Sequence, residues 1–471
     1  MCVLSNESEQ ENRVNRCQRS SAAVSRRGFG VVSAGGLAVG RGMAIAGDEA
    51  PAATERIGIG VIGLGSRGFN LIDDFLKRPE CRIVAVCDVD RHHYRDQPWG
   101  RGKAFGRGPA ERLINQSYAA KKSGVIHRGL QVYSDYRELI GRKDIDAIVV
   151  ATPDHWHAAC TFAALQAGKD VYCEKPVTHL FAEGQAIVAA VRRRKAVFQT
   201  GSQQRSDRLF QKVVELARNG VLGDVTSVEV GLPAGYDKAM GSMDVVAPRD
   251  GLDYDFWCGP SEMLPLMQAR HHRWWRGHRA YGGGVLMDWI GHHNDIAHWA
   301  IGAERSGPTR VEAVDWVFPD TDVYNTPKQY TIRCEYEGGI TSTISSHNAQ
   351  GLKVIGSEGW VYARRGKIEA SDERWLNRDF QPGSFRISAT GGHAADFLNN
   401  VRSRGECIAP AEIGHRSITP GHLGYVSHAL QKPLQWDPVS EVVRGDRQAD
   451  DLLKQVKYRT PWQVLTSTNS A

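Results

Sequence analysis

Ile57-Gly58-Ile59-Gly60-Val61-Ile62-Gly63-Leu64-Gly65-Ser66-Arg67-Gly68 is the stretch on which the fold turns. Glycines apart, its first six residues are apolar and β-branched, the pattern of a strand buried on both faces of a parallel sheet. Gly63, Gly65 and Gly68 follow in the spacing G-x-G-x-x-G, and a helical pattern opens near Phe69. In that setting the first glycine makes a tight turn, the second lets backbone approach a pyrophosphate, and the third lets helix pack on strand. The helix N-terminus offers free N–H groups to phosphate, and Ser66 and Arg67 lie in the turn leading to it. A second strand, Arg82 to Cys87, ends at Asp88, about 20 residues after Gly68. An acid there accepts from ribose hydroxyls and repels a 2′-phosphate, so NAD is expected rather than NADP.

Working outward, Arg91 to Gly129 interrupts the alternation with a segment rich in Arg, Gly and His. Alternation resumes with a strand over Asp144 to Val150, then Ala151-Thr152-Pro153, then a helix from His157 to Ala167. A further strand, Val171 to Cys173, ends at Glu174-Lys175-Pro176. In open α/β sheets ligands gather beyond the carboxyl ends of the strands. Thr152, Pro153, His157, Glu174 and Lys175 therefore join Gly63, Gly65, Ser66, Arg67, Gly68 and Asp88 as expected cofactor contacts. Past residue 177 the pattern changes. Helices over Leu180 to Arg194 and Arg208 to Asn219 precede strands over Val225 to Val230, Val311 to Phe318, Tyr330 to Tyr336 and Thr341 to Ser346. The expected class is α/β: a Rossmann dinucleotide-binding domain over 55–176, then an α+β domain over 177–465 with a mostly antiparallel open sheet.

The chain has 471 residues, 41% hydrophobic and 24% charged, which is ordinary for globular proteins. The net charge of +6 owes much to Arg13, Arg16, Arg19, Arg26, Arg27 and Arg41 near the N-terminus. No later basic stripe carries interleaved aromatics, so nucleic acid is not an expected partner. Residues 1–50 read as an export leader: Ser25-Arg26-Arg27-Gly28-Phe29 is a twin-arginine signal, Val31 to Ala46 a small-residue apolar run, and Ala44-Ile45-Ala46 a cleavage site. The mature protein is expected in the periplasm, not in the membrane. Outside the leader, seven scattered cysteines form no C-x-x-C pair and read as small buried hydrophobes.

The glycine motif, Ala151-Thr152-Pro153-Asp154-His155-Trp156-His157, Glu174-Lys175-Pro176 and Gly282-Gly283-Gly284-Val285-Leu286-Met287-Asp288-Trp289-Ile290-Gly291-His292 together resemble the Gfo/Idh/MocA family of sugar and cyclitol oxidoreductases. The resemblance covers roughly 55–465 and implies that Lys175 and His292 line the reacting carbon while Asp288 supports them. It also implies a homo-oligomer formed through the second-domain sheet. Asp154 departs from the family, whose usual residue after Thr-Pro is Asn. Some relatives in the wider superfamily are glycosidases that use NAD catalytically.

Oxidising a secondary alcohol needs a base for the hydroxyl proton and exclusion of water. His292 is the expected base, Lys175 the stabiliser of a developing alkoxide, and Asp288, one helical turn before His292, a group that orients the imidazole or offsets charge. Gln204, Arg205, Trp274 and His293 join Lys175 and His292 as expected substrate contacts, since aromatic faces stack on sugars while polar groups bond hydroxyls; buried packing is the alternative for Trp274. His292, His293, Asp295 and His298 lack a complete ligand set, so no metal is expected. The reading is an NAD-dependent oxidoreductase acting on a secondary hydroxyl of a sugar, glycoside or cyclitol. A redox-cycling glycosidase or lyase, and a non-catalytic sugar or nucleotide sensor, are the alternatives.

Overall fold

The structure, a computed structural model, describes residues 56–95, 104–121 and 129–463. The leader expected over 1–50 lies outside the described residues. Six strands form an all-parallel sheet, in the order Gln131–Tyr133, Cys81–Cys87, Ile57–Ile62, Ala147–Val150, Asp170–Cys173, Phe198–Thr200. Ile57–Ile62 lies near the centre and every residue of it is buried, as its apolar run requires. The helix Ser66–Leu76 covers one side through Phe69, Leu71, Ile72, Phe75 and Leu76. The helix Asp154–Gln166 is buried almost all round because the second domain closes over its outer side.

The first sheet runs further than 176. Phe198–Thr200 is its sixth strand, reached through the helix Phe181–Arg194, so the expected boundary moves to just beyond Gly201. The reason is that a parallel sheet needs a crossover helix before each new strand. The pattern change at 177 was such a crossover.

The second sheet has nine strands, in the order Lys367–Ala370, Gly359–Arg364, Gly351–Gly356, Val225–Gly231, Thr341–Ser345, Gln329–Glu335, Arg310–Val317, Leu434–Asp437, Val442–Val443. Only the pairing of Val225–Gly231 with Thr341–Ser345 is parallel. Val228, Val230, Ile332, Cys334, Ile344, Leu352 and Val354 turn inward and are buried, while Glu229, Arg333 and Glu335, alternating with them, are exposed. Helices Gly284–Ile301 and Ala411–Leu430 pack against each other and against this sheet. Gly291 brings the first of these helices onto the Rossmann unit: a Cβ there would lie 3.5 Å from Cβ of Lys175. This approach joins the Glu174-Lys175-Pro176 turn to the Asp288–His292 helix face. The seven cysteines of the described residues are buried, and none of them is joined in a disulfide. Among the described residues no helix is long and apolar enough to cross a membrane.

Candidate active site

The glycine loop is shaped for close approach. Gly63 adopts φ +92°, and a Cβ there would stand 2.5 Å from the Ala151 carbonyl group. A Cβ on Gly68 would stand 2.1 Å from the Gly63 carbonyl oxygen, so only glycine lets the helix come this near. Gly65 differs: nothing lies within 4 Å of where its Cβ would be. It is also the N-cap of the helix Ser66–Leu76, and no side chain caps that helix. An open cradle above an uncapped helix start is the shape and polarity that a pyrophosphate fills. The residues present therefore fit a dinucleotide.

Asp88 turns toward this loop. Its carboxylate accepts from the Leu64 N–H at 2.6 Å and from the Asp90 N–H at 2.9 Å. Burial outweighs those bonds and raises its pKa to about 6. Each oxygen retains a lone pair for a ribose hydroxyl. Arg67 and Glu174, expected as separate cofactor contacts, bind each other: Arg67 Nε donates to Glu174 Oε1 at 2.7 Å. Gln203 donates to the same oxygen at 2.9 Å and to the Tyr172 hydroxyl at 2.7 Å. This pair clamps the glycine-loop helix to the strand end that carries Lys175.

His157 does not open toward a ligand. Its Nδ1 lies 2.6 Å from the Pro176 carbonyl oxygen and its Nε2 3.0 Å from that of Thr152. Burial pushes its pKa down to about 4, so the neutral ring donates from one nitrogen at a time. The side chain ties two strand-end turns together, which corrects its expected role as a cofactor contact. Thr152 and Pro153 sit half-buried at the first of those turns.

Lys175 lies at the junction of the two domains. Its Nζ donates to Asp288 Oδ1 at 2.6 Å and to the Asp288 carbonyl oxygen at 2.8 Å. Arg276 Nε stands 3.0 Å from the same Oδ1. Burial alone would raise the Asp288 pKa, but Arg276 and Lys175 outweigh it and hold the group at about 2. Asp288 thus serves two cations, and among the described residues no hydrogen bond joins it to His292. Of the two expected roles, it therefore offsets charge and does not orient the imidazole. His292 is buried, with Nδ1 unpartnered. Burial first, then Lys175 and Arg365, push its pKa well below the usual imidazole range. It is therefore the neutral, proton-accepting form throughout the neutral range, not a group poised to titrate there.

Asp154 completes the cluster. It is buried, and its oxygens close no hydrogen bond of normal geometry, although Arg276, Lys175 and the Gly283 amide face it. Burial, with help from Asp288, raises its pKa to about 7. Two like charges converge on the same cations, and the less well paired one yields. Sequence reasoning noticed Asp154 only as a departure. It had no signal for Tyr236, whose buried hydroxyl feels Arg276 and Asp288, nor for Arg365, whose guanidinium covers the Trp289 ring at 4.9 Å.

Three expected substrate contacts fall elsewhere. Arg205 is fully buried and forms a bidentate pair with Asp295 at 2.7–2.9 Å, with its guanidinium 4.4 Å from the Trp299 ring centre. It is an internal brace. His293 turns away from His292, between Trp289 and Phe210, because residues one apart on a helix face different ways. Trp274 is 5% exposed, covered by Arg273 at 4.1 Å and by the edge of Tyr236, so it is wall and not an open stacking face. Gln204 is buried with both amide atoms unpartnered.

A parallel nucleotide-type sheet whose strand ends carry a glycine cradle, joined to a sheet-and-helix domain that delivers an acid against a strand-end lysine, defines a two-domain dinucleotide-dependent oxidoreductase. The chain belongs to the Gfo/Idh/MocA family: residues 57–202 match its NAD-binding Rossmann fold and residues 207–464 its C-terminal alpha/beta domain. Inositol 2-dehydrogenase 1 of Saccharopolyspora erythraea is 30% identical over 168 residues, which are 35% of this chain and 42% of that protein. Glycosyl hydrolase family 109 protein 2 of Shewanella sp. strain ANA-3 is 28% identical over 173 residues, 36% of this chain and 34% of that protein. The chain thus spans less than half the length of these two relatives. The WlbA dehydrogenase of Bordetella pertussis, solved with NADH and UDP-GlcNAcA, shares the fold with a TM-score of 0.54 at 18% identity. The likeness covers 80% of this chain and 98% of that one.

Proposed function

We propose that the protein transfers a hydride between NAD and a secondary hydroxyl of a sugar, glycoside or cyclitol. One observation carries this reading. Lys175 Nζ has three protons, and Asp288 engages two of them, leaving the third for a substrate oxygen. A fixed cation aimed at a developing alkoxide lowers the cost of removing the hydroxyl proton. The neutral imidazole of His292 is the nearby acceptor for that proton. Gly63, Gly65, Ser66 and Gly68 would hold the pyrophosphate and Asp88 the ribose. The bound nicotinamide supplies the two-electron acceptor or donor.

A second reading has support in the Shewanella relative, which is named as a glycosyl hydrolase. There the same site would oxidise and re-reduce one sugar, with loss of a leaving group between the two steps. Deuterium at the reacting carbon separates the two. A net dehydrogenase delivers label to reduced cofactor; a redox-cycling glycosidase returns it to the sugar without net reduction of NAD. Lys175→Ala should cut turnover about a hundredfold or more. Melting temperature should change little, because Arg276 still pairs with Asp288. Full activity in that variant, with no label in the cofactor, would refute hydride transfer and leave the sensor.

A further inference from the structure

We propose that Asp90, His93 and His272 form a binding site for a divalent first-row metal ion, zinc by preference, that staples the Rossmann unit to the second domain. Asp90 and His93 follow the second strand of the parallel sheet. His272 belongs to the second domain, 182 residues later than Asp90 in sequence. One ligand atom from each of the three lies within 4.8 Å of the other two. Asp90 is completely buried. Its Oδ2 stands 2.7 Å from His272 Nε2 and 3.6 Å from His93 Nδ1; the two rings stack with centroids 3.7 Å apart, so one ring tilts out of the stack as both nitrogens take a metal.

His93 supplies an independent observation. It is 5% exposed, yet among the described residues Nδ1 has no hydrogen-bond partner. A buried nitrogen aimed at an acid without closing a bond is costly unless something sits between them. Two neutral imidazoles and a carboxylate are a borderline-soft donor set that suits zinc, leaving a fourth tetrahedral position to water. The other oxygen of Asp90 is already fixed from behind. Oδ1 accepts from the His92 N–H at 3.1 Å, the kind of outer bonding that orients a ligand carboxylate.

Arg249 is the rival cation. Its terminal nitrogens reach Asp90 Oδ1 at 3.1 Å and Oδ2 at 2.5 Å. The Arg249 side chain is 45% exposed, whereas that of Asp90 is fully covered. The guanidinium can swing toward solvent as a metal enters, keeping or giving up its contact with Oδ1. On binding, neutral His272 shifts its ring proton from Nε2 to Nδ1, freeing the Nε2 lone pair. The site lies two residues beyond Asp88 and four before Arg276, so it would fix both the ribose-side loop and the loop that serves Asp288.

The experiment uses the full purified chain, stripped by chelator and dialysed against zinc or cobalt(II). Wild type should retain about one zinc per chain. With cobalt it should show the visible absorption of a tetrahedral N/O site, and zinc should raise the melting temperature. His93→Ala with His272→Ala should lose all three signals. Arg249→Ala leaves the ligands and the His92 N–H bond intact but removes a competing positive charge from Asp90, so it should bind zinc about tenfold more tightly. It also serves as the informative variant if the double substitution fails to fold. The proposal is overturned if wild type keeps no stoichiometric zinc, or if zinc retention and the cobalt spectrum are unchanged in the folded double variant. It is also overturned if Arg249→Ala binds zinc no better than wild type. NAD binding and hydride transfer are separate readouts, so failure here leaves the proposed function standing.

Discussion

Lys175, Asp288, Arg276 and Asp154 form two acids against two cations, and their unequal pairing gives a testable pH dependence. Asp288 holds both cations and stays ionised, whereas Asp154 has its pKa raised from 3.8 to about 7. Between those two pH values the folded state holds a proton that the unfolded state has lost. This contribution to stability is therefore fully present below about pH 4 and is lost as pH rises through about 7. Asp154→Asn removes the titration. The variant should match wild type near pH 4 and exceed it at pH 8, by on the order of 3 kcal/mol. Thermal melts across that range decide the matter, and an offset independent of pH would refute the assignment. Arg205 makes the opposite case, since it read as a substrate contact and proved to be a brace. Arg205→Ala leaves Asp295 buried and unpaired, a loss of about 3–5 kcal/mol. Denaturant unfolding should show it. A stable variant with weakened substrate binding would restore the original reading.

At the scale of elements, the three glycines divide by what their missing Cβ spares. At Gly68 it spares a clash with the loop backbone, and at Gly65 it spares only open space. Gly65 also has an ordinary φ of −78°, so alanine there meets no backbone penalty. Gly65→Ala should melt as wild type yet bind NAD at least about tenfold more weakly, because its methyl enters the pyrophosphate cradle. Gly68→Ala should lose both stability and binding. Calorimetric titration with NAD beside thermal melting separates the two effects; equal NAD affinity in Gly65→Ala would place the pyrophosphate elsewhere. The helix Gly284–Ile301 is the other decisive element. Its sequence set Asp288 and His292 on one face, but the face alone did not say what each would meet. Lys175 and Arg276 arrive from other parts of the chain and take Asp288 from His292.

For the whole molecule, we further propose that residues 1–50 direct folded export, on the order of the arginine pair, apolar run and A-x-A site. Arg26→Lys with Arg27→Lys should leave the protein uncleaved in the cytoplasm. Unchanged fractionation would refute this. Local order in the sequence decided the nucleotide half: an apolar run, a glycine spacing and strand-end residues lie within short stretches, and a parallel strand buried on both faces is hard to mistake. The same locality made the Glu174-Lys175-Pro176 turn legible. The strands Gly351–Gly356, Gly359–Arg364 and Lys367–Ala370 escaped because glycines and outward charges dilute their apolar signal, and neighbours across the sheet stabilise them. Arg276, Arg365, Tyr236 and the Asp90–His93–His272 cluster were beyond reach for a related reason. Burial and charge partnership depend on distances between segments far apart in sequence, and only the packed chain sets those distances.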